Sequence, residues 1–318
     1  MKIAKYIEPG EVEIVDGPVP VCPKGGLLIK TEASGLCPGE LMDWYMEKKI
    51  SHVLGHEVCG KVIESNYPRF PVGSRVVPHH HAPCMNCEFC KTGRYVHCRD
   101  WKLTKFEPGG MCAFFALYPQ NLSDCHLAND LQPEDAALAE PTACVIKSIT
   151  LANQTFGSTA VIGLGAMGLI MLLANKFPSI GYDLNLRRID YARSLGINCE
   201  EVSGATPADV VYVCPGTQAA LDLAISIVNP GGKIILFAPF HPSVQVQIPF
   251  NQLYFDDIQL IPSYSCGPPD MVEALSLLRS GTIQAKQIVS DLIGIEELPK
   301  AYRQMRAGEI LKPMVIFQ

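Results

Sequence analysis

Val161-Ile162-Gly163-Leu164-Gly165-Ala166-Met167-Gly168, followed through an apolar stretch to Ile180-Gly181-Tyr182-Asp183, decides the fold. A β-rich entry over residues 159–162 leads into a Gly-x-Gly-x-x-Gly turn, which opens a helix. The helix returns to a second short strand that ends on a carboxylate. In this pattern Gly163 makes the tight turn, Gly165 admits a pyrophosphate against bare backbone, and Gly168 lets helix and strand approach closely. Leu164, Ala166 and Met167 complete the candidate cradle, where the helix start offers free N–H groups and positive dipole. Asp183 stands 20 residues after Gly163, at the distance where a carboxylate accepts from ribose hydroxyls and repels a 2′-phosphate. NAD is therefore favoured over NADP. Arg187 and Arg188 offer cations for such a phosphate but read as the solvated face of the next helix; Arg188 stays among the cofactor-binding candidates.

Outward from this turn, strands and helices alternate: a strand over 209–213, a helix over 218–228 and a strand over 233–237. That alternation implies parallel βαβ units and an α/β, doubly wound sheet. Strand-like runs at 244–248 and 258–261 extend it. Upstream, Val12, Ile14, Val15 and then Leu27, Leu28 and Ile29 predict short antiparallel strands, with turns at Pro9-Gly10 and Lys24-Gly25-Gly26. Further short strands are expected over 53–63 and 75–77. Pro133-Glu134-Asp135 starts one helix and residues 142–151 form a second; helices over 269–280 and 295–307 and a strand over 313–317 close the chain.

The 318 residues leave room for two domains, with 48% hydrophobic and 18% charged residues. A net charge of −6 carries no basic footprint for nucleic acid or anionic lipid. The opening Met1-Lys2-Ile3-Ala4 has no signal-peptide pattern, and the longest apolar run, 159–175, is broken by glycines and falls short of a membrane span. The 13 cysteines are odd in number and scattered apart from one tight group. That usage suggests a reducing compartment, the cytoplasm, and metal binding rather than a disulfide framework.

Cys84-x2-Cys87-x2-Cys90-x7-Cys98 is the most specific local signal. Four thiolates this close can close a tetrahedral Zn²⁺ site with no position left for water, stapling a loop that has little core of its own. The spacing matches neither common ferredoxin pattern, so the site is read as structural zinc. His79-His80-His81 precede it. Neighbours on a strand point to opposite faces, so the three are read as loop packing, with one able to reach an active-site mouth.

Cys37 in Gly35-Leu36-Cys37-Pro38-Gly39-Glu40, His56-Glu57 after Gly55, and Glu140-Pro141 each have zinc-ligand chemistry. In this order, with the four-cysteine group and the glycine fingerprint, the whole chain resembles the zinc-containing medium-chain alcohol dehydrogenases. Its Glu140-Pro141-Thr142-Ala143-Cys144 stretch is most similar to the sorbitol-like polyol and threonine dehydrogenase branches. The resemblance implies a GroES-like irregular β catalytic domain (1–143 and 265–318), a Rossmann domain (144–264) and an active cleft between them. It further implies two zinc ions per subunit, the catalytic one held by Cys37 and His56 with Glu57 and Glu140 completing or exchanging in the shell. Thiolate, imidazole and carboxylate leave one position open for a substrate oxygen, whose polarisation assists hydride transfer from an alcohol to NAD.

The chain also departs from the family. Gly39 stands where a Ser or Thr usually relays the alcohol proton, Glu40 replaces the usual Asp, and Met42 replaces a relay histidine. Proton release is then left to water, Glu57 or a hydroxyl such as that of Tyr45, and Trp44 and Tyr45 are candidates to line a substrate pocket in the short loop between Cys37 and His56. The expected activity is NAD-dependent oxidation of a secondary alcohol or polyol. Open alternatives are a zinc-independent enone or quinone reductase that keeps only the structural zinc, and a non-catalytic nucleotide sensor. The expected partner is a small-molecule alcohol or ketone, without nucleic acid or membrane, in a homodimer or homotetramer paired through a sheet edge near 232–264.

Overall fold

The computed structural model describes residues 1–49 and 53–318. They divide into two compact units, Met1–Ala143 with Cys266–Gln318, and Cys144–Ser265.

In the second unit, six parallel strands run in the order Cys199–Glu201, Ser179–Asp183, Thr159–Ile162, Ala208–Val213, Val228–Leu236 and Gln259–Pro262. The chain starts at the middle of this sheet, works to one edge and then crosses to the other, which is the order of a doubly wound dinucleotide fold. Ala160, Ile162, Val211 and Val213 pack with Leu221, Ala224 and Ile225 of the Gln218–Ile227 helix into one core. The apolar run read from the sequence is the buried Thr159–Ile162 strand followed by the nine-residue Ala166–Ala174 helix. Among the described residues no helix is long and apolar enough to cross a membrane.

One expected strand is corrected. Residues 244–248 form no strand, although 258–261 overlap the Gln259–Pro262 strand. The segment alternates Val and Gln between Pro242 and Pro249, yet Val244 and Ile248 are exposed and only Val246 packs on the core. Gln247 N–H instead donates to the Gln218 side chain at 2.9 Å, so the backbone is satisfied locally without a ladder. Alternation marks a strand only when one face has something to cover.

The first unit is built on a mixed sheet ordered Asp291–Ile293, Pro313–Ile316, Leu27–Gly35, Glu57–Ser65, Arg75–Pro78 and Cys125–Leu127. Phe114–Leu117 adds to Leu27–Gly35, and a Lys2–Glu8/Glu11–Asp16 hairpin stands apart from it. Ile29, Val58, Val62, Val76, Phe106 and Phe115 form one core, and Tyr6, Leu36, Met46, Leu298 and Tyr302 a second. Register matters more than area here. Gly35 pairs with Glu57 and Ser34 with Val58, so the turn that begins two residues past the first strand is delivered beside the two residues that open the second.

Candidate functional site

That register assembles three ligand atoms. Cys37, His56 and Glu57 offer one sulfur, one imidazole nitrogen and one carboxylate oxygen, all within 4.8 Å of one another. Cys37 caps the short Pro38–Leu41 turn, where its Sγ accepts from Gly39 N–H at 3.3 Å. His56 Nδ1 lies 3.3 Å from Glu40 Oε1, which also accepts from Gly55 N–H at 2.9 Å. Glu40 is therefore the carboxylate that orients the histidine, and its extra methylene reaches both groups at once. Tyr302 Oη donates to the Glu40 carbonyl at 2.7 Å and anchors the same turn from the C-terminal helix.

Glu57 is buried and split in function. Oε2 is paired with the buried Lys312 ammonium, which also donates to the Leu36 carbonyl at 3.2 Å, whereas Oε1 accepts no hydrogen bond. A buried carboxylate oxygen left without a donor costs free energy unless a cation meets it. With an adjacent thiol and imidazole, this donor set suits Zn²⁺. Burial pushes the Cys37 thiol upward, Glu57 and Glu140 add to this, and His56 pulls it back. Burial alone would lower His56, but Cys37 and Glu40 beside it outweigh that and hold it well above the ordinary histidine value. Loading a cation here therefore displaces protons.

The other candidates divide. Glu140 sits in the first turn of the Ala139–Ala152 helix, close enough to act on the Cys37 thiol. Its carboxylate converges, however, with His79 and Cys266, again within 4.8 Å. Tyr45 is exposed on the Asp43–Met46 helix with its ring 5.9 Å from that of Trp44, outside the Cys37 group. Residues 50–52 of that loop lie outside the described residues. The His79 group is not legible in the sequence: the three histidines read as loop packing with one able to reach an active-site mouth, and no local spacing ties them to Cys266.

Cys84, Cys87, Cys90 and Cys98 also converge within 4.8 Å, around a small core with the fully buried Trp101. Backbone N–H groups of Asn86 and Cys87 bring Cys84 down to about 7, while burial takes Cys90 up to about 12. Four sulfurs with Cys87–Cys90 at 3.5 Å and Cys84–Cys90 at 4.0 Å match a closed tetrathiolate site.

In the nucleotide unit, Gly163 has φ +96°, and a Cβ on Gly168 would stand 1.8 Å from the Gly163 carbonyl oxygen. At Gly165, the N-cap of the Ala166–Ala174 helix, a Cβ would meet nothing within 4 Å, so bare backbone faces open space. Leu164 N–H donates to Asp183 Oδ2 at 2.7 Å, and Asn185 N–H to Oδ1 at 2.8 Å, which fixes the carboxylate against the turn. Arg188 lies 3.8 Å from the same Oδ2.

Comparison with known proteins agrees with these features. Residues 23–126 match the alcohol dehydrogenase GroES-like domain, and residues 163–280 the zinc-binding dehydrogenase model. The chain is 30% identical over 347 aligned positions to sorbitol dehydrogenase of Bacillus subtilis (strain 168), covering 99% of this chain and 97% of the relative. Its fold superposes on a chain described as a zinc-binding dehydrogenase of Sinorhizobium meliloti 1021 bound to NADP, with TM-score 0.87, 20% identity and 99% of each chain covered. It also superposes on acetophenone reductase of Geotrichum candidum NBRC 4597 in complex with NAD, with TM-score 0.86 and 21% identity over 99% and 97% of the two chains. The chain thus belongs to the zinc-binding medium-chain alcohol dehydrogenase family, with a GroES-like domain and a Rossmann-type sheet.

Proposed function

We propose that this protein oxidises a secondary alcohol of the polyol class with NAD, using one catalytic and one structural zinc per chain. The convergence of Cys37, His56 and the undonated Oε1 of Glu57 carries the reading. Zinc held there would supply Lewis acidity toward an alcohol oxygen, and bound NAD would supply the hydride acceptor. Cys37, His56 and Glu57 hold the ion, and Glu140, within electrostatic reach of Cys37, is the carboxylate able to exchange into the shell. Glu40 fixes the His56 ring and Lys312 fixes Glu57, so neither ligand turns away when substrate enters. With Gly39 and Met42 in the relay positions and Glu57 committed to Lys312 and to the ion, the hydroxyl proton leaves through water, and Tyr45 lines the substrate side. Sorbitol dehydrogenase as a relative supports the polyol class.

NAD is the preferred cofactor because the tethered Asp183 carboxylate repels a 2′-phosphate. Gly163 to Gly168 hold the pyrophosphate, and Arg188 is engaged with Asp183. Residues 1–143 with 265–318 serve as the catalytic domain and 144–264 as the NAD domain. The chain forms a homodimer or a tetramer of dimers through the edge strand Gln259–Pro262, beside which Phe250, Tyr254 and Phe255 are 70%, 68% and 79% exposed. Its many free thiols suit the cytoplasm.

The test is a panel of sugar alcohols and simple secondary alcohols followed by NADH absorbance, on wild type and Cys37→Ala. Polyol turnover that falls by orders of magnitude in Cys37→Ala is the expected result. A zinc-independent reductase would survive the substitution, and turnover of no alcohol would leave a nucleotide-binding relative. Gel filtration giving a monomer at micromolar concentration would refute the dimer.

A further inference from the structure

We propose that His79, Glu140 and Cys266 form a second buried position for a divalent transition metal, zinc by its donor set, adjoining but distinct from that of Cys37, His56 and Glu57. The three side chains come from separate places in the first unit: the residue after the Arg75–Pro78 strand, the first turn of the Ala139–Ala152 helix, and the residue before Gly267, the N-cap of the Pro268–Arg279 helix. They are 0%, 6% and 0% exposed, and one ligand atom from each falls within 4.8 Å of the others.

The histidine is held as a metal-binding histidine is held. His79 Nδ1 lies 2.8 Å from Asp124 Oδ2, and the other oxygen of that buried carboxylate engages His126 Nε2 at 2.8 Å. With Nδ1–H donated to Asp124, the lone pair of Nε2 points 3.7 Å from Cys266 Sγ. A carboxylate fixing one ring nitrogen so that the other faces a ligand cluster is the outer-shell pattern of metal-bound histidines. Asn121 Nδ2 donates to the His79 carbonyl at 3.2 Å and holds the backbone there. A divalent ion would balance a Cys266 thiolate and the Glu140 carboxylate, and thiolate, imidazole and carboxylate together are a zinc donor set. Glu140 is also within electrostatic reach of Cys37, so the two groups adjoin through it.

Zinc per chain, measured by elemental analysis on protein purified without chelator, decides the matter. The expected wild-type content is about three ions, counting the tetrathiolate site. Cys266→Ser and His79→Gln are each expected to remove about one, Cys37→Ser about one, and Cys37→Ser with Cys266→Ser about two. Unchanged zinc in both Cys266→Ser and His79→Gln overturns the proposal. So does a double variant that loses no more than Cys37→Ser alone, because one shared ion would then account for both groups. Should Cys266→Ser fail to fold, His79→Gln reads the same outcome through a different ligand. The two readings fail separately: Cys37→Ser tests the catalytic zinc, and Cys266→Ser and His79→Gln test the second position.

Discussion

Replacing Lys312 by methionine probes the least replaceable contact of the candidate active site. Lys312 and Glu57 have side chains 0% and 1% exposed, and the ammonium reaches both the Glu57 carboxylate and the Leu36 carbonyl. The pairing is built in from the backbone: at Gly35, opposite Glu57 in the ladder, a Cβ would stand 2.5 Å from Glu57 Oε2. Methionine keeps the length and removes the charge, so in the metal-free protein, the form in which the cycle is measured, Glu57 is left buried and uncompensated. Breaking a buried pair on one side costs about 3–5 kcal/mol. At about 2–4 °C per kcal/mol for a unit of this size, Tm should fall by roughly 6–20 °C. Glu57→Gln with Lys312→Met removes both charges and should recover much of that loss, since a neutral buried pair carries no such penalty. Trp44 and Trp101, the only two tryptophans, both lie in the first unit, so tryptophan fluorescence reports its unfolding selectively. The measurement is a double-mutant cycle over wild type, the two single variants and the double variant. A coupling of about 2 kcal/mol or more is expected. A fall in Tm of less than about 2 °C in Lys312→Met, or a coupling below about 0.5 kcal/mol, would show that the pair does not hold Glu57 in place.

Three further outcomes are expected. Gly165→Ala should fold with wild-type stability, because its Cβ meets nothing within 4 Å, yet weaken NAD about tenfold or more by calorimetry, whereas Gly168→Ala should destabilise the nucleotide unit because its Cβ stands 1.8 Å from the Gly163 carbonyl oxygen; equal NAD affinity in Gly165→Ala would sink the pyrophosphate assignment. Cys84→Ser should remove one zinc and make the 84–98 lobe an early site of proteolytic cleavage; unchanged zinc content would refute a tetrathiolate site. Asp209 accepts from Ser158 N–H at 2.7 Å, from Ser158 Oγ at 3.2 Å and from Asn229 Nδ2 at 3.0 Å, and the Ser158 amide above all holds it below the usual carboxylate range. A depressed folded pKa means stability present above the unfolded value near about 3.9 and lost as pH falls through the lower folded value. Asp209→Asn should therefore flatten the acid limb of a Tm-versus-pH curve below about pH 4, and an unchanged limb would count against this contact.

How far the chain could be read from its residues follows from how far apart its partners lie. The glycine fingerprint and the four cysteines are legible because their chemistry is complete within 23 and 15 residues, and covalent spacing alone nearly determines their geometry. Cys37 and His56-Glu57 are 19 positions apart, and they meet because the ladder pairs Gly35 with Glu57, a register that no single strand declares. Glu40 reads from the sequence as a catalytic candidate in place of the family's usual Asp, and its contact with His56 is visible only once Gly55 and His56 are placed beside it. Residues 244–248 alternate like a strand, but only Val246 finds a core to cover, so alternation there specifies none. His79, Glu140 and Cys266 lay beyond reach for the same reason carried further, since His79 and Cys266 are 187 positions apart and no periodicity joins them. Residues that act locally announce themselves. Those that complete a site across the fold are recognised by where the backbone sends them, and in this chain both ligand groups built that way share the neighbourhood of Glu140.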